Sequence, residues 1–430
     1  MLCCYADELK EGFFPWIEEV AQIMVPLLKF YFHEEVRKAA VNTLPELLLA
    51  AKLAVEKGCG KDISWLKQLL DFILGSPVDK ESGSGFLEAL RKEPEVEITG
   101  YMLQSLQEIL LAVGELLEAH QLAAIVEELR QALAKSEERR QELKERTKSE
   151  DFDEEELELL MNETEQEESV YDGVADCLGA MLKKYHTDAL PFVDQLMPLV
   201  LPTLASDRSA EDRRIAICIF DDMVEYAHAN GACLKYLEAF MPHLLAGCID
   251  ENADVRQCAA YGLGIAAQHL GGSVQPICQD ALQRLIRVVQ HQESRSKENE
   301  MATDNAISAI GKICEFQGGS MDMSQALQVW LGALPIRTDL AEALIAHEQL
   351  VRMVESQNRA LLGNNNESLP RIIGVFGELV AAGEDLLSHE LKQRCVAVLK
   401  QIQSSMPDSI NQIVAALPPE SQSALKTAFA

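Results

Sequence analysis

The 430-residue chain is poor in aromatic residues, at 6%, and alternating β-branched runs are missing. Together these argue against a sheet. No apolar run approaches the ~18 residues of a membrane span. The opening MLCCYADELKEG places acids where a secretory leader carries its basic stretch, so no signal peptide is expected. The eleven cysteines are an odd number without a CxxC pair. Scattered through helical text, as at Cys218, Cys248, Cys258 and Cys314, they read as reduced, small core residues of a cytosolic or nuclear protein. His-Glu dipeptides begin at His33, His347 and His389, but none has a second histidine four residues on. The zinc-protease pattern therefore fails, and no nucleophile elbow, phosphate loop or Cys–His dyad is legible. The sequence thus predicts no metal, no cofactor and no enzyme. Positive charge is also scarce: 38 basic residues face 69 acidic ones, a formal net charge of −31. Such a surface repels nucleic acid and anionic membrane and favours basic partners.

What the chain does have is a repeating helix pair. The stretch Ala239–Gly272 reads as an apolar helix containing Pro242, a turn at Asp250-Glu251-Asn252, and a second helix opening at Ala253. In that second helix Val255, Cys258, Ala259, Gly262, Leu263 and Ala266 share one face at helical spacing. Copies recur. From Gln22, Pro26 matches Pro242, and Val36-Arg37-Lys38-Ala39-Ala40 matches the opening of the second helix. From Gln195, Pro198 sits in the first helix, and Arg213 falls 43 residues before Arg256. A more divergent copy covers Gln283 to Glu315, with weaker pairs at about 322–357 and 366–405. A period of roughly 40–47 residues with two helices per unit is the HEAT-repeat signature. The expected fold is all-α, a right-handed superhelical solenoid of HEAT repeats.

Two segments break the rhythm. Residues 76–93 hold a Gly/Ser turn and predict a loose connection. Residues 119–148 read as one long charged helix, which runs into a tract, Glu150 to Glu168, with eleven acids and no Lys or Arg. That tract reads either as a solvated, partly disordered insertion or as a mobile polyanion near a basic ligand's path. The expected division is HEAT repeats over 1–118 starting mid-repeat, a charged helix and acidic insertion over 119–168, HEAT repeats over 169–405, and a helical cap over 406–430.

The second helices of such pairs line one side of a solenoid, so acids there are the better candidates for binding. Asp221, Asp222 and Glu225 can share a helix face, and Asp304 with Asn305 lies early in a later second helix. Tyr261 and Trp330 are candidate flat surfaces for a Lys or Arg stem. Glu150, Asp151, Asp153, Glu154, Glu155 and Glu156 are the candidates within the acidic tract. Against these stand plain readings: a solvated carboxylate, or a core aromatic. Gly262 and Gly264 fit a loose dinucleotide pattern but lie inside a helix with no strand before it, so they predict close helix packing. Arg37 and Arg256 are expected to bond turn carboxylates between repeats.

The segments ICIFDDMVEYA, ENADVRQCAAYGLGIAAQ and KENEMATDNAISAIGKI, with VPLLKFYFHEEVRKAA and LLGNNNESLPRII, resemble the karyopherin-beta nuclear import receptors. The resemblance is to the carboxy-terminal third of the importin five (karyopherin beta-three) type. It implies a HEAT superhelix that shuttles between cytoplasm and nucleus and carries basic cargo such as ribosomal proteins and histones. It also implies partners among phenylalanine-glycine nucleoporins and the GTPase Ran. The repeats that give such receptors their main Ran contact have no counterpart in these residues, so a fragment or short form is expected. The alternative is a HEAT scaffold that assembles other proteins, as phosphatase scaffolds do, without a transport role.

Overall fold

A computed structural model describes residues 2–75, 85–147, 154–320 and 322–429. All regular elements among the described residues are helices, and the chain divides into two units, Met1–Cys233 and Leu234–Ala430. The first contains α1 (Leu2–Leu9), α2 (Ile17–Leu27), α3 (Glu34–Glu56), α4 (Ile63–Leu74), α5 (Phe86–Lys92), α6 (Val96–Val113), α7 (Ala119–Arg146), α8 (Glu154–Tyr185), α9 (Leu190–Val200) and α10 (Ala210–Ala227). The second contains α11 (Leu237–Gly247), α12 (Ala253–His269), α13 (Cys278–Val289), α14 (Glu300–Gln317), α15 (Ser324–Ala333), α16 (Leu340–Glu355), α17 (Arg359–Leu362), α18 (Leu369–Ala382), α19 (His389–Ser405), α20 (Pro407–Ala416) and α21 (Pro419–Phe429).

Each unit is two layers of helices. In the first, α3, α6, α8 and α10 pack in sequence as a layer of second helices, while α2, α4, α5, α7 and α9 form the layer of first helices. In the second, α12, α14, α16 and α19 make the first kind of layer, and α11, α13, α15 and α18 the other. The reason is burial. In α3, Ala40, Val41, Leu44, Leu47, Leu48 and Ala51 are all buried, so one helix covers its neighbours on several sides at once. Small residues set the closest approach: a Cβ on Gly264 of α12 would lie 3.1 Å from the Ala309 Cα on α14. The Gly262–Gly264 pattern is therefore buried helix-packing surface. Pro26, Pro198 and Pro242 lie inside α2, α9 and α11, each removing a helix hydrogen bond from a first helix.

Two local expectations need correction. Of the loose connection over 76–93, residues 76–84 lie outside the described residues, and Phe86–Lys92 is a helix with Phe86, Leu87, Ala89 and Leu90 buried. The Gly/Ser cue obscured an apolar face only seven residues long. Ahead of α2 a 3-10 segment covers Lys10–Trp16, and α2 ends at Leu27. The expected insertion, from Glu154 on, is helical and continues unbroken into Tyr185, so the boundary expected at 168 falls inside α8.

Gly311 in α14 faces two buried groups of the next repeat. A Cβ there would lie 2.7 Å from Trp330 Nε1 and would also collide with Gln349 Oε1. Gly311→Ala is expected to destabilise the second unit by about 1–3 kcal/mol, the usual range for overpacking. Gly332→Ala, with nothing within 4 Å, should be near neutral. Urea unfolding followed by circular dichroism distinguishes the two.

Candidate functional site

The second-helix layer of the first unit gathers carboxylates. Ser209 caps α10, its hydroxyl accepting from the Asp212 backbone N–H at 3.0 Å, which fixes where the helix starts. Three turns on, Asp222 packs against Gly179 of α8 so closely that any side chain at 179 would strike its carboxylate. Burial, followed by the charges of Glu225 and Asp176, pushes the Asp222 carboxyl up to about 7; Lys183 opposes this. Asp176, one helical turn from Asp172, is also raised, first by burial and then by Asp172. Asp172 itself accepts from Arg214 Nη2 at 2.9 Å.

Alongside runs a groove of about 380 Å³ between α6 and α8, lined by Glu97, Tyr101, Gln104, Gln166, Asp172 and Asp176, among others. The base of the groove is narrow because Gly100 and Gly173 let the helices close: Cβ atoms there would meet Ser169 Oγ at 3.1 Å and Leu103 Cβ at 2.8 Å. Lys38 Nζ donates to Glu97 at 2.7 Å and sits 5.3 Å from the Tyr101 ring centroid. The face already pairs a lysine with a carboxylate and a ring. Beside it stand Asp176 and Asp222, where carboxylates outnumber cations.

The other residues picked from the sequence have different settings. Asp221 is 4% exposed; burial holds its carboxyl well above the usual range, and its Oδ1 has no hydrogen-bond partner. Asp304 is fully buried and accepts from Arg295 Nη1 at 2.6 Å, Thr338 N at 2.9 Å and Asp339 N at 3.1 Å. Asn305 donates to Asp339 Oδ2 at 2.9 Å. Both therefore tie α14 to the start of α16 and are withdrawn from solvent. Trp330 is 0% exposed and belongs to the core. Tyr261 is half-buried with Lys312 Nζ 5.2 Å from its ring centroid, and Lys312 donates to Glu342 Oε2 at 2.9 Å. The cation on this ring belongs to the chain itself. These corrections share one cause: helical spacing gives a face but not what covers it. Asp221, Asp222 and Glu225 lie on α10 of the first unit, whereas Tyr261, Asp304, Asn305 and Trp330 lie in the second.

Of the acidic tract, Glu150, Asp151 and Asp153 lie outside the described residues, as does the Glu155 side chain. Glu154 is exposed and Glu156 half-buried. Further along, Glu163 and Glu167 pair with Arg146 and Arg139 of α7, so part of the tract is a structural seam. The sequence reading missed Glu97, Asp172 and Asp176. The i,i+4 spacing of 172 and 176 beside an acid-rich stretch was the available signal. Arg37 and Arg256 hold repeats together. Arg37 Nη2 donates to Glu93 at 3.0 Å. Arg256 Nη1 donates to the Asp250 and Glu251 carbonyls at 2.6 and 2.8 Å, and its Nη2 reaches Asn299. The turn partners of Arg256 are carbonyls, where carboxylates were expected.

Among the described residues no group of three or more His, Cys, Asp or Glu could hold a metal ion, and no helix is long and apolar enough to cross a membrane.

A family model for importin repeat 6 matches residues 98–206, and a HEAT-repeat model matches 240–270. The chain is 25% identical over 412 residues to importin subunit beta-3 of Saccharomyces cerevisiae, covering 95% of this chain and 36% of that protein. Its relatives are importin-beta family members. A probable importin-5 homolog of Dictyostelium discoideum is 26% identical over 350 residues, covering 79% of this chain and 31% of the relative. The chain thus spans about a third of the length of the curated relatives it matches, and the repeat match fits a carboxy-terminal part. The crystal structure of the karyopherin Kap121p bound to the SUMO protease Ulp1p superposes with a TM-score of 0.76 at 22% identity, covering 100% of this chain and 36% of that one. That likeness establishes the HEAT solenoid fold.

The raised Asp222 carboxyl has a direct consequence. The unfolded side chain ionises near pH 4 and the folded one only near 7, so stability falls as pH rises across that window. Asp222→Asn is expected to stabilise the first unit at pH 8 by on the order of 2 kcal/mol, and the difference should vanish toward pH 4. Thermal melts of both proteins across that range measure it.

Proposed function

We propose that the chain acts as the carboxy-terminal HEAT arm of a nuclear import receptor and holds Lys/Arg-rich cargo segments on its acidic second-helix layer. Homology to importins supports the receptor class, and the lining of the α6–α8 groove by Glu97, Asp172 and Asp176, with Asp222 next to it, supports the chemistry. The mechanism is binding alone. Charge steers a basic segment to the layer, and the groove residues Gln104, Gln107 and Gln166 offer amides to its backbone. Ionising Asp222 then completes a pair with the arriving cation, so capture at neutral pH releases protons. Ribosomal proteins and histones are cargoes with the required composition.

Kap121p has been crystallised bound to RanGTP and bound to Nup53p. On this reading the chain serves a receptor that shuttles between cytoplasm and nucleus, and Ran-GTP and phenylalanine-glycine nucleoporins are its other partners. Phenylalanine side chains fit a separate groove of about 220 Å³ between α2 and α4, where Trp65, Leu69 and Phe72 are flanked by Gln22 and Gln68.

The test is calorimetric titration of the full chain with a Lys/Arg-rich peptide. Affinity should rise from pH 6 to pH 8 and fall with salt, and Asp176→Asn with Asp222→Asn should weaken it about tenfold. Binding that ignores salt and both substitutions would count against cargo capture. Absence of any affinity for basic or phenylalanine-glycine peptides would favour the scaffold alternative.

A further inference from the structure

We infer that the solvent-facing stripe at the amino-terminal end of α8 is a docking seam for an amphipathic basic helix of another protein. This inference is independent of the cargo reading. α7 and α8 run antiparallel, as the pairs Arg139–Glu167 and Arg146–Glu163 show. The face of α8 turned to α7 therefore has its acids neutralised, and Val170 on it is buried. The opposite face is different. Glu154, Leu157, Glu158, Met161 and Glu165 succeed one another at i, i+3, i+4, i+7 and i+11, which places them on one stripe.

Leu157 is 44% and Met161 66% exposed on that stripe, whereas Leu159, 56% exposed, lies nearer the side of α8 that carries Glu163. Two large apolar side chains one turn apart on the same face, open to water on a helix of 32 residues, are an uncovered hydrophobic pair. Among the described residues no ion pair engages Glu154, Glu158 or Glu165, and the sequence from Glu150 to Leu182 contains no Lys or Arg. The stripe thus combines apolar anchors at helical spacing with a fixed excess of negative charge.

That combination selects its occupant. An extended polybasic segment would satisfy the carboxylates but leave Leu157 and Met161 wet. An anionic membrane would take the apolar residues but is repelled by the glutamates. A second copy of the same stripe brings acid against acid. A helix with Leu, Ile or Met at i and i+3 or i+4, flanked by Lys or Arg, satisfies both features by ridge-into-groove packing.

The test uses the full chain and a fluorescently labelled model helix of leucine and lysine in amphipathic order. Anisotropy should show saturable binding. Leu157→Ser with Met161→Ser should weaken it about tenfold or more, and Glu154→Gln with Glu158→Gln should weaken it less and flatten its salt dependence. Asp176→Asn with Asp222→Asn should leave it unchanged, separating this seam from the cargo groove. All these side chains except Asp176 and Asp222 are on an open helix face, and circular dichroism confirms that the variants stay folded. The inference is overturned by any of three results: no binding to the wild-type chain; binding indifferent to the Leu157 and Met161 changes; or equal binding of a peptide with the same composition in scrambled order.

Discussion

A helix pair with apolar residues on several sides cannot bury them by itself, and every other feature of this chain follows from stacking one pair on the next. The stack needs a register, and arginines near the start of the second helices supply it. Arg256 closes its own turn through the Asp250 and Glu251 carbonyls and reaches Asn299 in the following repeat. Arg37 is 1% exposed and does the same with the Phe30 carbonyl and with Glu93. The Arg37–Glu93 pair is so buried that the Glu93 carboxyl is raised by desolvation despite its cation. Such a pair adds little net stability over an apolar contact, yet losing either partner strands a buried charge. It ties the start of α3 to the turn before α6.

The same stacking creates the acidic layer. Second helices approach closely because glycines such as Gly100, Gly173 and Gly179 leave room, and side chains at the crossing are squeezed out of water. Carboxylates placed there cannot all stay ionised, so Asp222 rises to about 7 and Asp176 follows it upward. A residue chosen for stability alone would not carry that charge. The cost falls on folding at high pH, and a cation placed beside these carboxylates would offset it.

The helix pairs were legible in the sequence because periodicity and the Pro–turn–Arg spacing depend on local chemistry. Partner identity was not. Asp304 and Asp222 look alike in sequence: both are acids on second helices beside another polar residue. One is enclosed by Arg295 and two backbone N–H groups, and the other by fellow carboxylates. Much of the difference comes from Thr338 and Asp339, 34 and 35 positions beyond Asp304, and from Asp176 on the helix beside Asp222, which no window of helical spacing contains. Trp330 failed for the same reason, since its ring is enclosed by the adjacent repeat. Asp172 and Asp176 escaped notice because the acidic tract before them seemed to end at Glu168, whereas α8 carries the pattern onward without a break.

Net charge therefore misleads as a guide to function here, and pairing replaces it. Along α8 alone, acids take three roles within one helix. Glu163 and Glu167 bind arginines of α7 and hold the hairpin together. Asp172 and Asp176 crowd the groove beside α6, where burial and the Asp172 charge raise the Asp176 carboxyl. Glu154, Glu158 and Glu165 flank exposed leucine and methionine on the outer stripe. What separates these roles is what each face meets: the arginines of α7, the carboxylates and amides lining the α6 groove, or solvent. A single long helix that crosses from the hairpin into the repeat stack thus connects two chemically distinct surfaces through one rigid body, and the boundary between them is set by where α7 stops covering it.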